Sequence, residues 1–393
     1  MSDLEAFRAE TRRWLEANAP AEMRTPLRSA DEVCWGGRNG RYPEPTRRWL
    51  AVMAERGWTA PTWPREYGGG GLSKTEAKVL REEMVALRLR PPLVGFGLEM
   101  IGPLLLEVGN EAQKREHVPA ICRGEIRWCQ GYSEPGAGSD LASLQTRAVR
   151  DGDHFVLDGQ KVWTSYADKA DWMFLLVRTD ASAKHAGITF MLMDMAVPGV
   201  SVRPIKLISG ASPFCETFLE SVRVPARNVV GEVGGGWAIA KMLLRFERNM
   251  IADVFKERED RSRLIDMARH YLPDGAGGVG DPLVRDRVAQ VEIDQQCLDL
   301  TLARSREQVK IGRPPGPETS IFKLYGTELN QRRRELMVQI AGPQALGWEG
   351  PGFSPGELAL TRDWLRSRGN SIEGGTSEIQ LNIIAKHVLG LPD

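Results

Sequence analysis

Three stretches of the chain bring together residue types that can bind or move charge. The first is GYSEPGAGSD, residues 131–140. Gly136 and Gly138 allow backbone N–H groups to approach an anion or a flat ring, and Ser133 and Ser139 add hydroxyl donors. The same composition also builds a plain turn. It is not GxGxxG and no strand–turn–helix unit surrounds it, so a dinucleotide-binding fold is not supported. GGGGLSK, residues 68–74, lacks phosphate-loop spacing and reads as a connecting loop.

The second stretch is GWAIAKMLLRFERNMIADV, from residue 236. On a helix, Glu247 shares a face with Leu243, Leu244, Met250 and Ile251. A carboxylate in an apolar stripe is costly unless it has a partner or a task. Desolvation would raise its pKa toward that of a general base. A buried ion pair with one of the many arginines is the alternative reading. The third stretch, GGTSEIQ, opens a helix. Ser377 is the expected N-cap, with Gln380 three residues on, and such a helix start suits a phosphate.

The elements that must position these groups follow from periodicity. Residues 1–125 read as helices, with 3.6-residue spacing over 51–58 and 75–89 and Gly/Pro-rich breaks such as TAPTWPREYGGGG between them. Residues 126–232 carry short alternating or apolar runs (HFVLDG, WMFLLV, ITFMLMD, VSVRPI, TFLESVRV) divided by turn signals, the pattern of an antiparallel β-domain. Residues 233–393 return to helical spacing, interrupted at LPDGAGGVGDP and GRPPGPETS, and are long enough for a four-helix bundle. The expected class is α+β, with strands between two helical domains.

Composition narrows the function. Lys plus Arg and Asp plus Glu both number 52, so the net charge gives no reason to expect nucleic acid. No apolar run approaches the roughly 20 residues of a membrane span, and no signal peptide is read at the start. Five scattered cysteines form no CxxC, which argues against a disulfide framework or a metal site and toward a reducing cytoplasm.

Three motifs in order resemble the acyl-CoA dehydrogenases. SEPGAGSD is similar to that family's [ST]-E-x-x-x-G-[ST]-D, GQKVWTS (159–165) to Gly-x-Lys-x-Trp-x-[Ser/Thr], and GGTSEIQ to its GTxEIQ helix. The resemblance implies helical, β and helical-bundle domains with FAD between the last two. It implies that Gln130, Tyr132, Ser133, Gly138 and Ser139 line the flavin, with Ser139 also near the pantetheine arm. Trp163, Thr164 and Ser165 would flank the isoalloxazine, the Ser165 hydroxyl at N5. Gln339 and Gly342, in QIAGP, would hold the adenosine half from a neighbouring subunit, Pro343 replacing a second glycine. Thr376 and Glu378 would reach the pyrophosphate.

In many members the catalytic carboxylate immediately precedes the last Gly-Thr, but here Gly374 stands at that place and Glu373 is one residue early. A second arrangement, similar to isovaleryl-CoA dehydrogenase, puts the base just before an arginine on the first bundle helix. Glu247 and Arg248 match it. The implied chemistry is removal of the α proton by Glu247 and of the β hydrogen as hydride, Gly374 offering its N–H to the thioester carbonyl and Arg248 contacting the substrate. An electron-transfer flavoprotein is the implied acceptor of the electrons.

An Arg-x-x-Phe-Gly common in family homotetramers is missing from GDPLVRDRVAQVEID, and Leu381 replaces an arginine after EIQ. Both departures resemble members that work as α2β2 pairs. The wording is similar to a bacterial subgroup named for the large subunit of pimeloyl-CoA dehydrogenase. Three alternatives stay open: a non-catalytic or FAD-sharing partner subunit, a flavin monooxygenase or oxidase on the same fold, and a helical scaffold without cofactor.

Overall fold

The computed structural model describes residues 3–27, 32–244, 259–310, 312 and 316–392. The chain forms two compact units, Met1–Ile205 with Pro213–Phe246, and Lys206–Ser212 with Glu247–Asp393.

The first unit begins with helices α1 (Asp3–Asn18), α2 (Glu44–Glu55), α3 (Lys74–Ala86), α4 (Gly102–Val108) and α5 (Glu111–Cys122). Two start with reciprocal caps, Ser73 with Glu76 on α3 and Asn110 with Gln113 on α5. Their apolar faces meet in a core that includes Leu15, Trp49, Met53, Trp58 and Leu80. A π-helical turn, Gly97–Ile101, leads into α4.

Seven strands follow: β1 (Trp128–Gly131), β2 (Arg147–Asp151), β3 (His154–Ser165), β4 (Trp172–Arg178), β5 (Ile188–Asp194), β6 (Val200–Ile205) and β7 (Phe214–Pro225). Their order is β1-β4-β2-β3-β7-β6, with β5 on the other edge of β4. The sheet is mainly antiparallel, as expected, with two parallel pairings, both to β4. β1 pairs with β4 in parallel, and β2 touches β4 in parallel at Arg147 and Arg178. Parallel neighbours need a long crossover, and here the β2–β3 hairpin lies between β1 and β4 in the chain. Strands β4 and β5 are buried almost throughout, so they read as apolar runs rather than alternations. A final helix, α6 (236–244), leaves the sheet at Gly236, where a Cβ would lie 2.5 Å from the backbone of Thr189 and Phe190. Leu243 on α6 is fully buried.

The second unit contains α7 (Glu259–Tyr271), α8 (Pro282–Lys310), α9 (Thr319–Ala341), α10 (Pro355–Ser367) and α11 (Ser377–Ile383), which continues into a π-helical turn, Ile384–Val388. α7 to α10 share one core, from Leu264 and Ala268 through Val288 and Leu298 to Leu336, Ile340 and Leu360. The architecture is therefore helical, then β, then helical. No described helix is long and apolar enough to cross a membrane.

One buried side chain ties the helices of the first unit to its sheet. The Gln113 amide on α5 donates to the carbonyls of Arg227 (2.9 Å) and Val229 (2.8 Å), just beyond β7. Gln113→Leu removes this donor from both oxygens, and the expected cost is about 2–4 kcal/mol. Urea unfolding measures it; a loss under about 0.5 kcal/mol, the range of a neutral surface change, contradicts the assignment.

Candidate functional site

The Gly/Ser loop is held by a buried ion pair. The Glu134 carboxylate accepts from Lys161 Nζ at 2.7 Å, from the Thr146 amide at 2.9 Å and from the Gln145 amide at 2.6 Å. Lys161 is fully buried, and its Nζ also lies 3.3 Å from the Tyr132 carbonyl. Burial lowers the Lys161 pKa to about 8, against the opposing pull of Glu134. Burial alone would raise Glu134, but the Lys161 charge and the hydrogen bonds from Lys161, Thr146 and Gln145 hold it below the usual carboxylate range. Both partners are therefore predominantly charged at neutral pH. The Val162 amide donates to the Ser133 carbonyl (2.9 Å), and Glu134 and Ala137 exchange two backbone hydrogen bonds of 3.0 Å. Gly159 completes the lock, because a Cβ there would stand 2.7 Å from Thr146 Cα.

The lock leaves the loop's small residues free. A Cβ on Gly136 or Gly138 would meet nothing within 4 Å, so the chain's own packing demands glycine at neither position. Ser139 is exposed and Ser133 half-buried. Gln130 is half-buried on β1 opposite Phe174. Tyr132 is buried, its ring edge-on to Phe174 and Phe190.

Next to this loop, β3 carries a bulge. Lys161 pairs with Thr217 and Thr164 with Cys215, three steps along β3 against two along β7. The extra residue is Trp163, in the left-handed region at φ +60° with 55% of its surface exposed. A large aromatic residue rarely adopts that conformation, and such strain collects at functional sites. Thr164 turns inward and is fully buried, donating from Oγ1 to the Cys215 carbonyl at 2.7 Å, so its side chain is not available to a ligand. Ser165 is half-buried, and Tyr166 is again left-handed at φ +52°. An exposed indole, a neighbouring hydroxyl and two glycines facing open space fit a flat polar ring system such as a flavin.

The remaining candidates lie in the second unit. Gln339 is exposed and accepts from Arg287 of α8 at 2.8 Å. Gly342 adopts φ +54°, with nothing within 4 Å of a Cβ. Thr376, not Ser377, is the N-cap of α11, and its Oγ1 accepts from the Ile379 amide at 3.2 Å. Gly374 (φ +64°) and Gly375 (φ +90°) are left-handed, and the extended Thr376 brings the chain from that turn into the helix. The expected capping box is absent, because the third helical residue is Ile379. Gln380 instead donates to the Gly374 and Gly375 carbonyls, both at 3.3 Å. Glu378 is exposed; its own backbone N–H and the Thr376 hydroxyl hold its carboxyl below the ordinary range. Glu373 accepts from Arg366 (2.7 Å) and Asn370 (2.5 Å), residues of its own unit. Glu247 and Arg248 lie outside the described residues.

Sequence reasoning passed over Glu134, Gly159 and Lys161 as working residues. A signal for Lys161 existed, since on β3 it falls in phase with the buried Phe155 and Leu157. Lys161→Met leaves Glu134 buried without its counter-charge, and the expected loss is about 3–5 kcal/mol. Glu134→Leu/Lys161→Met should recover most of it. Denaturant unfolding of the single and double variants measures the coupling; additive losses would contradict the lock.

Residues 2–125, 129–222 and 234–389 match the N-terminal, middle and C-terminal domains of acyl-CoA dehydrogenase. The chain is 36% identical to acyl-CoA dehydrogenase IpdE1 of Mycobacterium tuberculosis, covering 100% of this chain and 99% of that protein. It is 34% identical to IpdE1 of Mycolicibacterium smegmatis at the same coverage. Among solved structures it is similar to the Tcur3481-Tcur3483 steroid ACAD, with 32% identity, a TM-score of 0.78, and coverage of 100% and 98%. It is also similar to the ChsE4-ChsE5 complex of Mycobacterium tuberculosis, with 30% identity, a TM-score of 0.74, and coverage of 100% and 98%. These relatives carry IpdE1 and steroid names rather than that of pimeloyl-CoA dehydrogenase. On sequence and fold together, the chain belongs to the acyl-CoA dehydrogenase family of oxidoreductases.

Proposed function

We propose that this chain is a catalytic, FAD-binding subunit that converts an acyl-CoA to its trans-2-enoyl-CoA, with Glu247 as the base. The observation that carries the reading is the strained, exposed Trp163 beside Ser165, on a bulge locked to the Gly/Ser loop. FAD supplies the hydride acceptor when bound. Ser133, Ser139 and Ser165 offer hydroxyls to it, Gly138 leaves room for it, and Thr376 and Glu378 belong to the helix start assigned to its pyrophosphate. Gln339 and Gly342 are assigned to the adenosine half.

Glu247 takes the α proton. Its assignment rests on its place before Arg248 and in phase with Leu243, which is fully buried. Gly374 keeps the backbone N–H that polarises the thioester carbonyl. Glu373 is held by Arg366 and Asn370, which argues against it as the base. An electron-transfer flavoprotein of the cytoplasm takes the electrons onward. The Tcur3481-Tcur3483 steroid ACAD and the ChsE4-ChsE5 complex, both named as pairs, support a mixed α2β2 assembly, and the steroid in the first name supports a bulky acyl group.

A second reading is favoured by Gly374 at the usual base position: a partner subunit that completes another chain's flavin site without catalysing. One experiment separates the two. Glu247→Gln should retain FAD and lose at least about 10³-fold in enoyl-CoA formation, more than general-base catalysis alone contributes at its lower end. Glu373→Gln should keep most activity. Substantial turnover by Glu247→Gln, measured as enoyl-CoA by chromatography, removes Glu247 from the mechanism and favours the partner-subunit reading.

A further inference from the structure

The exposed indole of Trp163 belongs to the residue that has dropped out of the ladder between β3 and β7. A side chain on such a bulge can take several rotamers unless another group holds it. Among the described residues, the aromatic ring packed against it is that of Phe214. The two ring centroids are 6.0 Å apart with their planes at 85°, the edge-to-face arrangement that aromatic pairs prefer.

Phe214 is itself fixed. It opens β7, opposite Ser165 of β3 on one side and Ile205 of β6 on the other. Pro213 before it has its φ locked by the ring and accepts the Tyr166 amide at 2.7 Å through its carbonyl. Cys215 after it is fully buried and accepts from Thr164 Oγ1. Opposed residues of an antiparallel pair point to one face, and neighbours along a strand to opposite faces. Thr164 and Cys215 turn toward the core, whereas Trp163, Ser165 and Phe214 lie on the outward face, and their burial agrees. Phe214 stands apart from the core under the sheet, which Cys215, Leu219 and Val222 help to build. Its half-buried ring thus lies on the face of the two residues assigned to the isoalloxazine.

From this geometry we infer that Phe214 is a positioning residue for the flavin, holding the Trp163 indole in one orientation and so setting the reduction potential of the ring bound beside it. An electron-rich indole held close favours the oxidised, electron-poor isoalloxazine over the reduced one. A loosened indole loses that preference, and the potential rises. The inference rests on the flavin-binding reading and adds to it the residue that orients the indole.

The test uses the holoenzyme, with its partner subunit if it has one. Equilibration with a reference dye gives the two-electron potential, and visible circular dichroism reports the surroundings of the bound flavin. Phe214→Ala should shift the ratio of reduced to oxidised flavin about 3- to 10-fold, a rise of roughly 15–30 mV for a two-electron couple, and weaken the dichroism. Phe214→Tyr keeps the aromatic edge and should match the wild type. Phe214→Leu keeps bulk without that edge; it should follow Phe214→Ala and still reports if Phe214→Ala fails to fold. In a Trp163→Leu background, Phe214→Ala should move neither readout further, because the effect passes through the indole. An unchanged or lowered potential in both Phe214→Ala and Phe214→Leu, or a rise that persists undiminished without Trp163, overturns the inference and leaves the flavin reading standing. A wild-type protein that takes up no flavin overturns that reading, and the inference with it.

Discussion

The buried pair of Lys161 and Glu134 is the constraint on which the Gly/Ser loop and the bulge of β3 depend. Taking two charges out of water costs several kcal/mol each, and attraction alone offsets that only with good geometry and further hydrogen bonds. Here the geometry is close, at 2.7 Å, and two backbone amides complete the Glu134 carboxylate. One contact thus joins the loop after β1, the start of β2 and the middle of β3. With Glu134 fixed, the loop's serines and glycines have a defined place. With Lys161 fixed, the next residues of β3 must absorb the bulge, and Trp163 is put outward. Stability and ligand geometry come from the same atoms.

Much of this was legible in the sequence. The long strands β3 to β7 coincide with runs of alternating or continuous apolar residues. The helix breaks fall at the Gly/Pro clusters. β1 and β2 escaped because WCQG and RAVRD are too short to show a period, and β1 is fixed by parallel pairing to a strand some forty residues on. The α11 cap was misread by one residue because Thr376 and Ser377 are both good caps. The two left-handed glycines before them decide between the two, and a backbone angle is not visible in composition.

The site residues are divided between the two units. The first holds the groups assigned to the flavin ring, and the second holds those assigned to the adenosine and pyrophosphate. In the second unit the left-handed Gly374–Gly375 turn carries no side chain beyond hydrogen. Glu373 is turned into an ion pair with Arg366. The proposed base, Glu247, lies outside the described residues.

The most direct measurement is an anaerobic titration of the purified, flavin-loaded protein with acyl-CoA, following absorbance near 450 nm, roughly the flavin band, to its endpoint. The account predicts stoichiometric bleaching, with one enoyl-CoA formed per flavin reduced and recovery on addition of an electron acceptor. A yellow protein that no acyl-CoA bleaches, or a colourless one that takes up no FAD with or without a partner subunit, would contradict it.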